Sequence, residues 1–247
     1  MTYDRGALLN RIDLATEGVW SWTDELVCHL MFDLTMTYER PQVLEVACAY
    51  GKATAYLAVA AQERGGFLRA VDSLPHVWEG RTAIDLVREL GAGPACDITL
   101  GCDARWYLLD LLKDAPDEWL DIGFLDASHT VEVDAFVALA MWTHLAPGGI
   151  MIFDDLGWTP AEHGESDVTY SRPTTSHVRA IFDYIRALSN ATDALEWGGE
   201  QLGWSWGFVQ KAGSTRPPLR MLFASLGQEW EEPWSKDSSS TQRKTDT

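Results

Sequence analysis

Three carboxylates and one imidazole follow two apolar segments of this sequence. The first segment ends in Asp126, with His129 three residues later, and the second ends in the adjacent pair Asp154 and Asp155. If both segments are strands of one parallel sheet, these side chains meet at its carboxyl edge. Carboxylate oxygens suit a hard cation such as Mg²⁺, and an imidazole beside the metal can accept a proton. The spacing therefore predicts Asp126, Asp154 and Asp155 as metal ligands and His129 as a base.

A second group of candidate residues begins where the first predicted strand meets its helix. The segment Glu45–Gly51 reads EVACAYG, and its small residues allow a ligand to approach the backbone. Asp72 lies at the end of the next strand, where an acid can accept hydrogen bonds from ribose hydroxyls. Asp103 follows the third strand and can receive an adenine amino group. Each acid alone has a simpler explanation, such as helix capping, so their joint spacing carries the prediction of a cofactor site.

Two common nucleotide-binding motifs are absent from the sequence. A dinucleotide fingerprint needs Gly-x-Gly-x-x-Gly, but Ala47 and Ala49 stand where two of the glycines are expected. A P-loop needs Gly-Lys-Ser/Thr, whereas Gly51 is followed by Lys52 and Ala53. A nicotinamide oxidoreductase is therefore a distant alternative.

Strands and helices alternate along the sequence, which is typical of a doubly wound, mostly parallel sheet. The predicted strands are Val43–Ala47, Phe67–Asp72, Asp97–Leu100, Leu120–Asp126 and Ile150–Phe153. The predicted helices cover residues 7–36, 51–64, 80–90, 104–113, 131–145 and 175–188, with Thr23 as an N-cap within the first range. Residues 194–211 are predicted to form an antiparallel hairpin. We therefore expect an α/β, Rossmann-like fold with a seven-stranded sheet.

These elements divide the chain into three parts. Residues 1–40 are predicted to form a helical lid or cap, residues 41–212 the cofactor-binding domain, and residues 213–247 a C-terminal extension with a disordered polar tail. Within the domain, residues 156–174 are rich in Gly, Pro, Ser and Thr and follow an acidic strand end. Such a long loop is more often a lid over a site than a simple connection.

Composition and charge limit the class of protein. The chain has 247 residues, of which 46% are hydrophobic, so it can bury one large core. Its net charge of -18 disfavours a nucleic-acid partner. It contains no apolar run of the ~18 residues that a membrane span needs, and no signal-peptide pattern, so we expect a cytoplasmic protein that does not contact membranes. The four cysteines lack metal-site spacing, and a homo-oligomer remains open.

The order of these elements resembles the class I S-adenosylmethionine-dependent methyltransferases, over about residues 40–211. The segment Glu45–Gly51 resembles their first motif, and the turn Leu145–Gly149 before the fifth strand is common among them. The resemblance implies that S-adenosyl-L-methionine is the cofactor. The residues it assigns to the cofactor site are Glu45, Ala47, Tyr50, Gly51, Asp72, Asp103 and Asp126.

The acidic strand ends resemble those of the metal-dependent O-methyltransferases. In catechol-type members an Asp follows the fourth strand, an Asp-Asn pair follows the fifth, and a lysine three residues after the first Asp is the base. Asp126 corresponds to the first ligand, Asp154 and Asp155 to the pair, and His129 to the base. A histidine there is closer to the macrolide-sugar and cephalosporin-pathway enzymes. The resemblance implies Mg²⁺-dependent O-methylation of a small-molecule hydroxyl, sugar or phenol, in natural-product tailoring.

Two alternatives within the same fold stay open. A non-catalytic binding protein is favoured by Ala47 and Ala49, and it would bind the cofactor weakly or not at all. A metal-free enzyme, for example an N-methyltransferase, would be insensitive to chelators.

Overall fold

Strands and helices alternate from residue 42 onward and build one mixed sheet. The computed structural model describes residues 3–113, 115, 117–163, 172, 174–199, 204–213 and 216–228. The strands are β1 (Gln42–Val46), β2 (Phe67–Asp72), β3 (Cys96–Leu100), β4 (Leu120–Leu125), β5 (Leu145–Phe153), β6 (Ala191–Gly199) and β7 (Trp204–Lys211). Their order is β3-β2-β1-β4-β5-β7-β6, with β1 to β5 parallel and β7 antiparallel to both of its neighbours. The predicted fold class is confirmed.

Helices cover both faces of the sheet. They are α1 (Arg5–Thr16), α2 (Glu25–Met36), α3 (Lys52–Glu63), α4 (Ala83–Glu89), α5 (Ala104–Lys113), α6 (Phe136–His144), α7 (His177–Arg186) and α8 (Leu219–Ser225). One core packs α1 to α4 and α8 against the first face, and a second core packs α5 to α7 against the other. Side chains alternate along β1, so Val43 enters the first core and Leu44 and Val46 enter the second. Both faces are therefore buried, as in other parallel sheets.

The direction of strand succession reverses between β1 and β4. The chain moves outward from β1 to β2 and β3, then returns to add β4 and β5 on the other side of β1. Ligands of open α/β sheets bind outside the carboxyl ends of the strands at such a reversal. The loops after β1, β2 and β4 are therefore the first place to look for a site.

The N-terminal helices pack on α3 in the first core. Helix α2 is largely buried, and Arg5 of α1 donates to Asp33 of α2 at 2.6 Å. The N-cap of α2 is Asp24, whose carboxylate accepts from the N–H of Leu26, so the prediction of Thr23 was off by one residue. Both residue types suit an N-cap, which is why the sequence did not separate them. The role of residues 1–40 as a cap stays a prediction.

Three further boundaries differ from the predictions. Strand β5 begins at Leu145, because buried polar side chains hold this segment extended: Lys211 Nζ donates to the carbonyl of Leu145 (2.6 Å), and Tyr38 Oη to that of Gly148 (2.9 Å). The predicted helix 131–145 starts with a π-helical turn, Val131–Ala135. The C-terminal extension contains α8, held by the ion pair of Arg220 with Asp193 at 2.7 Å.

Parts of the predicted loop and tail lie outside the described residues. Pro160–His163 forms a short 3₁₀ turn in the loop, while residues 164–171 and the polar tail from Ser235 fall outside the described ranges. Among the helices that are described, none is long and apolar enough to cross a bilayer.

Candidate functional site

The loop after β1 follows a backbone path that ordinarily requires glycine. Ala47, Ala49 and Gly51 have φ values of 67°, 45° and 89°, all in the left-handed region. A Cβ on Gly51 would lie 2.6 Å from Ala83 Cα, so glycine is required there for space as well. An alanine in this region costs about 1 kcal/mol, a penalty that the surrounding contacts must offset. The two alanines therefore keep the glycine-type loop at a cost in stability.

Asp72, at the end of β2, is hydrogen-bonded to the backbone of the loop after β1. Its carboxylate is buried, and Oδ2 accepts from the N–H of Ala49 at 2.7 Å, while Oδ1 accepts from the N–H of Leu74 at 2.9 Å. His76 Nε2 lies 3.6 Å from Oδ1. The acid thus joins the loops after β1 and β2, and it does not cap the next helix, whose N-cap is Thr82.

A cavity of about 300 Å³ opens beside Asp72, at the reversal of strand succession. It is lined by residues from the loops after β1, β2, β3 and β4, which are Val46, Ala47, Ala49, Val71, Asp72, Ser73, His76, Asp103, Ala104, Ala127, Ser128 and Val133. Such a volume is at the lower end of the range for small-molecule sites. The cavity brings together Ala47, Asp72 and Asp103 of the predicted cofactor residues.

Asp103 lies at the exposed edge of the cavity and is already paired. Its carboxylate accepts two hydrogen bonds from the Arg105 guanidinium, at 2.6 and 3.0 Å, and one from the Arg105 backbone N–H. The hydrogen bond from the Arg105 side chain lowers the pKa of Asp103 to about 2. Asp103 is therefore charged at neutral pH and can accept from a ligand through its remaining lone pairs.

Glu45, Tyr50 and Gly51 do not line this cavity. Glu45 is completely buried, and neither carboxylate oxygen has a hydrogen-bond partner among the described residues. Burial raises the pKa of Glu45 to about 8, so the carboxyl is mostly protonated at neutral pH. Gly51 acts through its backbone, because it is the N-cap of α3 and has no side chain that would block the turn.

Tyr50 is the centre of an aromatic cluster beside the cavity. Its ring centroid lies 5.6 Å from Trp20, 6.3 Å from Trp22, 5.8 Å from Trp78 and 5.1 Å from His76. Trp20 and Trp22 come from the connection between α1 and α2 and stay 41% and 54% exposed. Because His76 also lines the cavity, this cluster joins the N-terminal segment to the loop after β1.

Asp126 and Asp154 meet at the carboxyl ends of β4 and β5. The backbone N–H of Asp126 donates to the carbonyl of Val46 (3.2 Å), and that of Asp154 to Leu125 (3.1 Å), so the ends of β1, β4 and β5 are level. Each side chain affects the pKa of the other. Burial raises the pKa of Asp126 to about 7 and that of Asp154 well above its ordinary value, and the charge of Asp155 raises both further. Both carboxyls therefore favour the protonated form more than exposed aspartates do.

His129 and Asp155 form a second pair. His129 Nε2 lies 2.9 Å from Asp155 Oδ2, and the imidazole lies 4.7 Å from the Trp158 ring. Both residues of the pair have left-handed backbones, with φ of 57° and 52°. Burial opposes the imidazolium charge, but the hydrogen bond and the charge of Asp155 outweigh it, so the pKa of His129 is raised. Asp155 thus orients His129 and stabilises its protonated form.

The three carboxylates predicted to bind a metal, those of Asp126, Asp154 and Asp155, meet only part of what such a site requires. Buried Asp126 and Asp154 offer two neighbouring oxygen donors, which suit a hard cation. Asp155 instead binds His129, and in the described part of the chain the three carboxylates do not bring ligand atoms within 4.8 Å of one another. Asp13, Glu25 and His29 do so elsewhere, between α1 and α2.

Sequence reasoning missed three residues at this site. Asp134 is buried below the His129 loop, Trp158 packs on the imidazole, and His76 joins the cavity to Tyr50. The one available signal for His76 was its position four residues after Asp72, and Asp134 looked like an ordinary acid on a helix.

Comparison with known proteins agrees with this geometry. Residues 44–156 match the family described as Methyltransferase domain. That stretch runs from within β1 to just after Asp155, and so contains all of the predicted site residues. No curated protein matches the sequence significantly.

Solved structures share the fold over most of the chain. An O-methyltransferase TomG of Streptomyces achromogenes, involved in tomaymycin synthesis and solved with S-adenosylmethionine, is 18% identical with a TM-score of 0.59, covering 86% of this chain and 92% of that one. A Corynebacterium glutamicum protein is 20% identical with a TM-score of 0.60 (88% and 94%). An O-methyltransferase of Bacillus cereus, solved with S-adenosylhomocysteine, is 19% identical with a TM-score of 0.54 (85% and 93%).

Proposed function

We propose that this chain, whose residues 44–156 match a methyltransferase domain, is a class I S-adenosylmethionine-dependent methyltransferase that methylates a hydroxyl group of a small molecule. The observation that carries the proposal is the His129–Asp155 pair, 2.9 Å apart, beside a cavity at the sheet's reversal point. An alcohol or phenol is mostly protonated at neutral pH, so a base next to the cofactor is what an oxygen acceptor needs.

The cofactor is held by the loops that line the cavity. Asp72 would accept from the ribose hydroxyls, and Asp103 would face the adenine. The loop of Ala47 and Ala49 presents its backbone to the methionine part, because its left-handed path leaves no long side chain in the way. This placement directs the sulfonium methyl group towards the loops after β4 and β5.

His129 is the proposed base, and Asp155 determines which nitrogen acts. If the Asp155 carboxylate accepts from Nε2–H, the lone pair is on Nδ1. Nδ1 takes the acceptor hydroxyl proton as the oxygen attacks the methyl carbon. The C–O bond forms while the C–S bond breaks, and S-adenosylhomocysteine leaves with the electron pair on sulfur. Orientation by the two loops would supply much of the rate.

Asp126 and Asp154 are the proposed holders of Mg²⁺, with Asp155 as a third ligand. A bound Mg²⁺ would lower the pKa of the acceptor hydroxyl and fix its position. Burial raises the pKa of both carboxyls, and two buried carboxyl groups at the ends of neighbouring strands are oxygen donors that suit Mg²⁺, which supports this assignment.

A metal-free reaction is the second candidate, and a specific contact favours it. Asp155 already binds His129, so the proposed base and the carboxylate that orients it interact without a metal. The two candidates differ in their response to chelators, which makes them separable in one assay.

The acceptor is proposed to be a sugar or phenol processed in natural-product tailoring. Trp158 lies against the proposed base, so an acceptor that reaches His129 passes an apolar, flat surface. The described cavity-lining residues include no Lys or Arg, and the chain's net charge is -18, which excludes a nucleic-acid acceptor from the proposal. The similarity in fold to TomG, an enzyme of tomaymycin synthesis, supports the same class of pathway. A cytoplasmic location belongs to the proposal, consistent with four free cysteines.

The test is a methyl-transfer assay with a panel of catechols, flavonoids and glycosides. Release of S-adenosylhomocysteine and a product heavier by one methyl group are measured by mass spectrometry, with and without EDTA. We expect turnover of at least one class, lost in His129→Gln. Methyl transfer only to amines would contradict O-methylation, turnover in EDTA would favour the metal-free form, and no binding of S-adenosylhomocysteine would favour a non-catalytic protein.

A further inference from the structure

A buried carboxylate outside the predicted site lies directly below the proposed base. Asp134 is 1% exposed. Its Oδ1 accepts from the backbone N–H of Ser128 at 3.1 Å and from the Ser128 hydroxyl at 3.3 Å. Its own N–H donates to the carbonyl of Thr130 at 2.9 Å. Asp134 therefore contacts the loop on both sides of His129.

The loop needs such a restraint because its conformation is strained. His129 is left-handed, which is unfavourable for a residue with a Cβ and persists only where neighbouring contacts determine it. Ser128 and Thr130 also bond to each other, with their hydroxyl oxygens 2.8 Å apart. Asp155 fixes the imidazole, but the backbone that carries the imidazole is fixed by Asp134.

The π-helical turn Val131–Ala135 explains how an acid reaches this position. A π turn is wider than an α turn, and such turns occur frequently at functional sites. Here it leaves Asp134 buried, while Glu132 in the same turn is exposed. The second oxygen of Asp134, Oδ2, has no hydrogen-bond partner among the described residues. Burial of an unsatisfied carboxylate oxygen is costly, and the hydrogen bonds of the other oxygen to Ser128 offset part of this cost.

We propose that Asp134 is a positioning residue for the methyl-transfer reaction, acting on His129 through the backbone of residues 128–130. It does not touch the reactants. The inference rests on the proposed role of His129 as the base. In this proposal Asp134 fixes the backbone of the His129 loop, and Asp155 fixes the imidazole ring of His129.

The test compares three substitutions of Asp134 with one matched control. Asp134→Ala removes the acceptor, Asp134→Asn keeps one oxygen for Ser128 N–H, and Asp134→Glu keeps the charge but moves the carboxylate by one methylene. Glu132→Ala is the control, because it removes an exposed acid from the same turn. For each protein we would measure turnover, the affinity for S-adenosylhomocysteine, and the rate at which diethyl pyrocarbonate modifies His129, read by peptide mass spectrometry.

We expect Asp134→Ala to lower turnover by about tenfold to hundredfold, because a small misplacement of a catalytic group is enough to do so. The affinity for S-adenosylhomocysteine should stay within about threefold, and modification of His129 should become several-fold faster. Asp134→Asn should restore most of the activity, and Glu132→Ala should change nothing. If Asp134→Ala does not fold, Asp134→Glu is expected to show the same changes.

Two outcomes would overturn the inference. One is an unchanged rate of His129 modification and unchanged turnover in both Asp134→Ala and Asp134→Glu. The other is an equal change in Glu132→Ala. The modification rate does not depend on methyl transfer, so a chain that transfers no methyl group can still confirm or refute the role of Asp134 in holding His129.

Discussion

The backbone N–H of Ala49 donates to Asp72 Oδ2 across 2.7 Å, and this bond joins two of the loops that line the proposed cofactor cavity. Leu74 N–H uses the other oxygen of the same carboxylate. Asp72 therefore shapes the site before any ligand arrives, and ribose hydroxyls would use its remaining lone pairs. A change at Asp72 acts on both the loop geometry and the ligand contact.

Asp72→Ala should abolish detectable binding of S-adenosylhomocysteine in calorimetry, because it removes the ribose acceptor and releases Ala49 N–H. A weakening of at least about tenfold is expected from loss of one hydrogen bond to a charged group. Asp103→Asn serves as the comparison. Asp103 is exposed and held by Arg105, so its substitution should weaken binding far less. Equal losses in both variants would contradict the assignment of Asp72 as the main polar contact.

Ala49→Gly should leave the free energy of unfolding unchanged or raise it by up to about 1 kcal/mol. Glycine relieves the left-handed strain, and the entropy that it adds to the unfolded chain offsets part of the gain. The control is Ala58→Gly in buried helix α3, where the same change should cost about 1 kcal/mol or more. Urea titration of both variants and the wild type measures these changes in the free energy of unfolding. A clear decrease in the free energy of unfolding in Ala49→Gly would show that the Ala49 methyl group makes packing contacts that outweigh the strain.

His129→Gln should lower turnover by about a hundredfold to ten-thousandfold, the range of general base catalysis, with the affinity for S-adenosylhomocysteine nearly unchanged. Asp155→Asn should lower turnover as well, because the imidazole loses the carboxylate that orients it. Turnover is measured from initial rates with the best acceptor of the panel, and the affinity for S-adenosylhomocysteine is measured separately by calorimetry. Full turnover in His129→Gln would eliminate it as the base.

Asp126→Asn and Asp154→Asn test the metal site. If the two carboxylates hold Mg²⁺, each variant should need at least about tenfold more Mg²⁺ for half-maximal turnover, since one charged ligand has been lost. Magnesium titration of EDTA-treated protein gives this concentration directly. Glu132→Gln, an exposed acid of the same region, should leave it unchanged. Turnover that persists in EDTA in the wild type would assign the site to metal-free chemistry.

Glu45 should make the protein less stable as the pH rises. Its pKa is about 8 in the folded protein and near 4.3 in the unfolded chain, so the folded state keeps a proton that the unfolded state releases. The free energy contributed by this group is fully present below pH ~4.3 and is lost as the pH rises to about 8. Glu45→Gln cannot ionise, so relative to the wild type it should gain on the order of a few kcal/mol between pH 5 and pH 8. Urea titrations at several pH values measure this difference, and a constant offset would refute it.

The sequence predicted the elements and the edge of the sheet at which the acids meet. Apolar periodicity and the acidic strand ends were enough for that, since both are local properties. It did not predict that Asp155 turns to His129 while Asp154 turns to Asp126, because this depends on a left-handed backbone at Asp155. Nor did it show that Ala47 and Ala49 adopt the glycine path. Propensity disfavours that conformation, and only contacts from distant residues such as Asp72 make it tolerable.

The cluster around Tyr50 has a practical consequence. Trp20 and Trp22 are partly exposed indoles in contact with the ring of Tyr50, which belongs to the loop after β1 that we propose to bind the cofactor. A ligand that moves this loop by a fraction of an ångström changes the polarity around both indoles. The protein therefore carries its own fluorophores beside the loop after β1, and its intrinsic emission should report occupancy of the cavity without any label.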